Sequence, residues 1–209
     1  PEIVNYVGGR CVLVPTEEAD GFRLTAAQLE RAWLEGTKLV IVNSPNNPSG
    51  AVIAPDEFCR ILDLVRRRGA LLLSDECYSH FVYAGRPFSV GSLPEAKPHV
   101  IIIGSLSKTY AMTGWRLGYA LAPEPIVQGM LRLQSHSTSN ATSFVQKAAI
   151  VALRAPQDSV GLMLAEYTRR RDRIIASLNA LPYVTCAQPA GAFYAYPDIK
   201  ELGVSSAKF

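Results

Sequence analysis

Three stretches of this chain end an apolar run in side chains able to hold or move protons: Asn43 to Asn47, Asp75 with Tyr78, and Ser105 to Lys108. Together they supply amide, carboxylate, phenol, hydroxyl and ammonium groups. One such ending is commonplace, whereas three point to a site for a polar cofactor. Lys108 has the widest chemical reach among them. At its free pKa of about 10.4 a lysine amine is a poor base near neutrality, and desolvation or a cationic neighbour lowers that value. Lys108 follows an apolar strand and a Ser-Leu-Ser turn, in a run that also contains Met112, Trp115 and Tyr119. A mid-chain lysine is ordinarily a surface residue, and this context sets Lys108 apart. Neither G-x-G-x-x-G nor G-x-x-x-x-G-K-[ST] occurs, which weakens dinucleotide and nucleoside-triphosphate readings.

The elements that must position these groups are legible in the pattern of apolar residues. RCVLVP (10–15) predicts a short strand. A helix then opens with Thr25 and Gln28 in a capping box, and Leu24 and Leu29 are spaced for a hydrophobic staple. KLVIVN (38–43) is a continuous β-branched run of the kind buried on both faces of a parallel sheet, and it runs into the tight loop SPNNPSG. Pro55 opens a second helix with Phe58, Ile61, Leu62 and Val65 at helical spacing, and Gly69 can end it. ALLLSD (70–75), HVIIIGS (99–105) and RLGYALA (116–122) read as further strands. Residues 124–134, 141–153 and 157–180 read as helices, and YVTCA and AFYAY (183–196) as strands of a separate small domain. The order strand, helix, strand predicts an α/β fold with a mostly parallel sheet flanked by helices. In such sheets ligands bind beyond the carboxyl ends of the strands, where the three polar endings fall.

Gross composition excludes other classes. Of 209 residues 48% are hydrophobic and 19% charged, which fits a globular protein rather than a disordered one. A net charge of +3 gives no electrostatic footprint for nucleic acid or a membrane surface. Arg66-Arg67-Arg68 and Arg169-Arg170-Arg171 with Arg173 fall in helical stretches and read as solvated faces. Cys11, Cys59, Cys77 and Cys186 show no C-x-x-C spacing, so free thiols in a reducing cytoplasm are expected. His80, His99 and His136 are too scattered for a metal site, and no apolar run approaches a membrane span. Asn140-Ala141-Thr142 matches a glycosylation sequon by chance.

NSPNNPSG (43–50), SDECYSHFVY (74–83), SLSKTYAMTGWRLGYA (105–120) and GAFYAYPD together resemble the pyridoxal 5'-phosphate (PLP)-dependent aminotransferases of fold type I, class I/II. The branch containing bacterial aspartate-type enzymes is the nearest match, and the similarity spans nearly the whole chain. The resemblance implies that Lys108 holds the cofactor as a Schiff base. It implies that Asp75 faces the pyridine nitrogen, which must stay protonated to draw in electrons as the Cα–H bond breaks. A carboxylate about 4 Å from that cation contributes roughly 4 kcal/mol at an effective dielectric near 20, or about three pH units of proton affinity. Tyr78 and Asn47 match the hydrogen-bond partners of the cofactor's phenolic oxygen, and the bond from Asn47 to Pro48 is cis in the family. Ser105 and Arg116 match the phosphate-binding positions, where a guanidinium fork suits a dianion. Ser107 stands between two roles, touching the phosphate or shaping the turn. Glu76 and Cys77 receive no catalytic role.

By the same resemblance, residues 1–156 belong to the large PLP-binding domain. Residues 157–209 form a long connecting helix and the beginning of a small α+β domain. The chain is expected to be an internal fragment, inactive alone, of a homodimer that uses amino acid and 2-oxo acid substrates. QSHSTSN (134–140) resembles a segment near the dimer contact, or is a plain polar loop. A PLP-dependent lyase of the same fold, and the PLP-sensing domain of a transcription regulator, would carry the same cofactor-holding residues. A structural protein without cofactor is the remaining alternative.

Overall fold

The computed structural model describes residues 1–209. Helix α1 (Glu2–Tyr6) leads, through a segment with one short 3-10 turn (Glu18–Asp20), to α2 (Ala26–Arg31). The Thr25 hydroxyl accepts from the Gln28 backbone N–H at 3.2 Å, and the Gln28 side chain accepts from the Thr25 N–H at 2.8 Å. This is the reciprocal cap that the sequence predicts. Leu29 is buried and Leu24 packs on the same cluster.

Strand β1 (Leu39–Asn43), helix α3 (Pro55–Arg67), β2 (Leu71–Asp75), β3 (Val100–Ser105), the short helix α4 (Leu106–Thr109) and β4 (Gly118–Leu121) follow. They build one sheet in the order β1-β2-β3-β4, the first three strands parallel and β4 antiparallel at the edge. Pro55 sits in the first turn of α3, where its missing N–H costs nothing, and Gly69 follows the last turn at φ +66. One face of α3 (Phe58, Ile61, Leu62 and Val65) packs with Val40, Val42, Leu72 and Ile102 into the main core. Ile61, Val65 and Leu72 have no exposed surface, and burying each such side chain contributes about 1.5–3 kcal/mol. Helices α5 (Glu124–Ser135), α6 (Ser143–Arg154) and α7 (Asp158–Asn179) come next. A second sheet pairs β5 (Thr185–Cys186) with β6 (Pro197–Asp198).

Three expectations need correction. RCVLVP is not a strand, because no neighbouring strand of this chain pairs with it. Apolar, β-branched composition fits a sheet without providing a partner for its backbone. AFYAY is not a strand either: its neighbourhood spends its backbone on loops, with Ala190 and Gly191 N–H donating to the Gly50 carbonyl and Ala192 N–H to that of Phe81. Only the isolated bridge between Val82 and Gly191 resembles a ladder. Finally, within this chain β1 is buried on one face, not two. Val40 and Val42 point to α3, whereas Leu39 and Ile41 are 40% and 55% exposed.

Most residues of the arginine clusters lie on helix surfaces, but Arg171 is largely buried and packs over the Tyr83 ring, 4.4 Å from its centroid. Arg67 pairs with Asp63, Arg68 with Glu30, and Arg169 and Arg170 with Glu166. No helix is long and apolar enough to cross a membrane.

Candidate active site

Strand register brings the polar endings to one edge. Asn43 is opposite Asp75, and Asp75 is opposite Ile103, two residues before Ser105. Asn43 ties the loop to the sheet: its Nδ2 donates to the Asp75 carbonyl at 3.1 Å, while its Oδ1 accepts from the Asn47 N–H at 2.7 Å. Asn47–Pro48 is cis, as the resemblance implies, and Ser44–Pro45 is cis as well. Asp75 Oδ1 accepts from the Cys77 N–H at 3.1 Å. The Cys77 thiol is pushed up to about 12, first by burial and then by its hydrogen bond to Asp75 and that carboxylate's charge. Lys108 opposes this, so both charges are felt at the one sulfur.

Tyr78 is buried, and its hydroxyl shares a short hydrogen bond with the hydroxyl of Tyr194. Burial chiefly drives the Tyr78 phenol above its ordinary range. The hydrogen bond and charge of Tyr194 add to this, and the Asn47 side chain acts the other way. Tyr78 and Tyr194 therefore meet hydroxyl to hydroxyl, with the Asn47 side chain near enough to lower the Tyr78 phenol.

Ser105 ends β3 and caps α4, its Oγ accepting from the Ser107 N–H at 3.1 Å. Lys108 lies one turn on, half-buried, with Nζ 5.8 Å from the centre of the Phe193 ring. It takes part in none of the ion pairs of the chain. The antiparallel return of β4 sets Gly118 opposite Ser105, so Arg116 sits just beyond the same edge. Arg116 is exposed, and its Nη1 donates to the Thr113 carbonyl at 2.9 Å. Its backbone is left-handed at φ +52, which costs on the order of 1 kcal/mol for a residue with a Cβ. An open groove of about 800 Å³ borders the site on this side, lined by Arg116, Trp115, Gln134, Thr138 and Asn140 but not by Lys108 or Asp75.

All seven expected site residues (Asn47, Asp75, Tyr78, Ser105, Ser107, Lys108 and Arg116) thus lie at or just past the carboxyl edge of the sheet. Glu76 turns away, accepting from Ser74 and Ser89 hydroxyls at 3.1 and 3.0 Å. Burial raises its carboxyl. Two residues of the site lie in the GAFYAYPD motif, which assigns them no role: Phe193 under the amine and Tyr194 on the phenol. Tyr194 is 116 residues from Tyr78, and no local pattern links the two. The donor set fits PLP: a carboxylate for a pyridinium, phenol and amide for a phenolate, hydroxyls and a guanidinium for a phosphate, and an unpaired amine for an aldehyde.

The sequence matches the family "Aminotransferase class I and II" over residues 1–208. It is 41% identical over 203 residues to an aspartate aminotransferase of Geobacillus stearothermophilus, covering 96% of this chain and 52% of that protein. An aromatic-amino-acid aminotransferase of Thermococcus litoralis is also 41% identical, over 218 residues, all of this chain and 56% of that one. The crystal structure of the aromatic aminotransferase from Pyrococcus horikoshii superposes with a TM-score of 0.92 at 38% identity, covering 96% of this chain and 54% of that one. This chain spans about half the length of the curated relatives it matches. Its α/β sheet is that of the large domain of fold type I. The chain belongs to the class I and II aminotransferases.

Proposed function

We propose that this chain carries the cofactor-binding part of a PLP-dependent aminotransferase that moves an amino group between an amino acid and a 2-oxo acid in ping-pong half-reactions. One observation carries the reading: the Lys108 amine stands in the first turn after β3, at the sheet edge that also bears Asp75 and, across β4, Arg116. Bound there, PLP supplies an electron sink for the pair left when the substrate Cα–H bond breaks. Asp75 keeps the ring nitrogen protonated. Asn47 and Tyr78 donate to the phenolic oxygen. Ser105 and Arg116 would hold the phosphate, and Ser107, whose N–H is engaged by Ser105, would either join them or shape the turn. Lys108 would be the attachment point, and its amine would take up and return the proton at the substrate's Cα.

In this reading residues 1–156 belong to the large domain, and residues 157–209 are the connecting helix and the start of a small one. The relatives named for aspartate and for aromatic amino acids bracket a substrate class of amino acids and 2-oxo acids. A cytoplasmic homodimer serving amino acid metabolism or biosynthesis is the setting we infer. The test is a single half-reaction of the full-length protein: an amino acid alone should bleach the visible band stoichiometrically and leave pyridoxamine phosphate. Elimination of a β-substituent with no pyridoxamine phosphate would overturn the reading in favour of a lyase.

A further inference from the structure

Tyr194 meets Tyr78 hydroxyl to hydroxyl at the oxygen beside Asn47, although the two tyrosines are 116 residues apart. We propose that Tyr194 is a positioning residue of the site: its hydroxyl donates to the Tyr78 oxygen, so the single Tyr78 proton is left to point at the cofactor's phenolic oxygen. This rests on the Tyr78 role proposed above. The direction follows from counting protons. A phenol has one donor and accepts through its lone pairs. If Tyr78 donated to Tyr194, it would have nothing to give the cofactor; if Tyr194 donates, both bonds form at once. Each bond in such a chain polarises the next, so Tyr78 becomes the better donor.

The placement of Tyr194 is held from several sides. Its ring packs edge-on against Tyr78, with centroids 5.5 Å apart, and tilted against Phe193 at 4.9 Å. The backbone before it is clamped to both site loops. Ala190 and Gly191 donate to the Gly50 carbonyl at 3.1 and 2.9 Å, and Ala192 donates to the Phe81 carbonyl at 2.8 Å. The approach is so close that a Cβ on Gly191 would stand 2.7 Å from Pro45 and 2.9 Å from the Phe81 carbonyl, and one on Gly50 would stand 2.3 Å from Pro189. The Tyr194 hydroxyl is thus fixed relative to the loop of Asn47 and the segment of Tyr78 together.

The test is a pH titration of the visible band in the full-length holoenzyme. Without the Tyr194 donor the cofactor's phenolic oxygen faces a weaker Tyr78 donor and becomes more basic, so the midpoint rises. Tyr194→Phe should raise it by about half a pH unit, a roughly threefold change in the proton-dissociation constant. Tyr78→Phe should raise it further, and adding Tyr194→Phe to Tyr78→Phe should change nothing more. An unmoved midpoint in Tyr194→Phe, or a shift that persists without the Tyr78 hydroxyl, would overturn this inference while Tyr78→Phe still moves the band. If Tyr78→Phe is itself silent, or the band survives Lys108→Ala, the underlying reading of the site falls, and this inference with it.

Discussion

The two ends of the site differ in how much of their geometry this chain supplies. At the ring end, Asn43 ties loop to strand, a backbone N–H braces Asp75, and Tyr78 is buried among aromatic rings. At the phosphate end, Arg116 is exposed, bonds only within its own turn, and borders an open groove. Preorganised groups cost nothing further to place when charge develops, whereas an exposed arginine side chain must lose freedom to bind. In the proposed reading, this chain's own contacts fix the ring end, whereas they leave Arg116 at the phosphate end exposed.

Substitutions in the full-length protein can break or sharpen that contrast. Lys108→Ala should have the largest effect, abolishing the visible, borohydride-reducible band and turnover while the circular dichroism of the folded protein persists. Asp75→Ala should leave PLP bound but lower kcat by roughly a hundred- to a thousandfold, the worth of a charge pair of a few kcal/mol. Near-normal turnover would refute a ring-nitrogen role. Arg116→Ala should instead weaken capture, raising the Kd for PLP by about ten- to a hundredfold with a smaller change in kcat at saturation. Binding of pyridoxal without its phosphate should not change, and an equal loss for both would end the distinction between the two ends. Far from both, Thr25→Ala removes the α2 cap and should cost about 1 kcal/mol in denaturant unfolding with activity intact.

Much of this architecture is legible in local chemistry. The Thr25 cap, the Pro55 start and Gly69 stop of α3, and the three strand endings each depend on residues a few positions apart, and each lies where the pattern places it. Six of the seven candidate site residues follow the carboxyl ends of parallel strands, which must meet at one edge, whereas Arg116 stands before the antiparallel β4 and is legible only through the family motif. RCVLVP and AFYAY mislead because apolar content describes a surface to be covered and not the strand that covers it.

What the sequence by itself determined is therefore the set of elements whose signals are short-range, together with the family motifs that ride on them. Only the tertiary structure decided which face of β1 is sealed, that Phe193 lies beneath the Lys108 amine, and that Tyr194 reaches Tyr78. These are contacts between segments far apart along the chain. Their partners are chosen by packing and by where each backbone finds its hydrogen bonds, which no local spacing encodes.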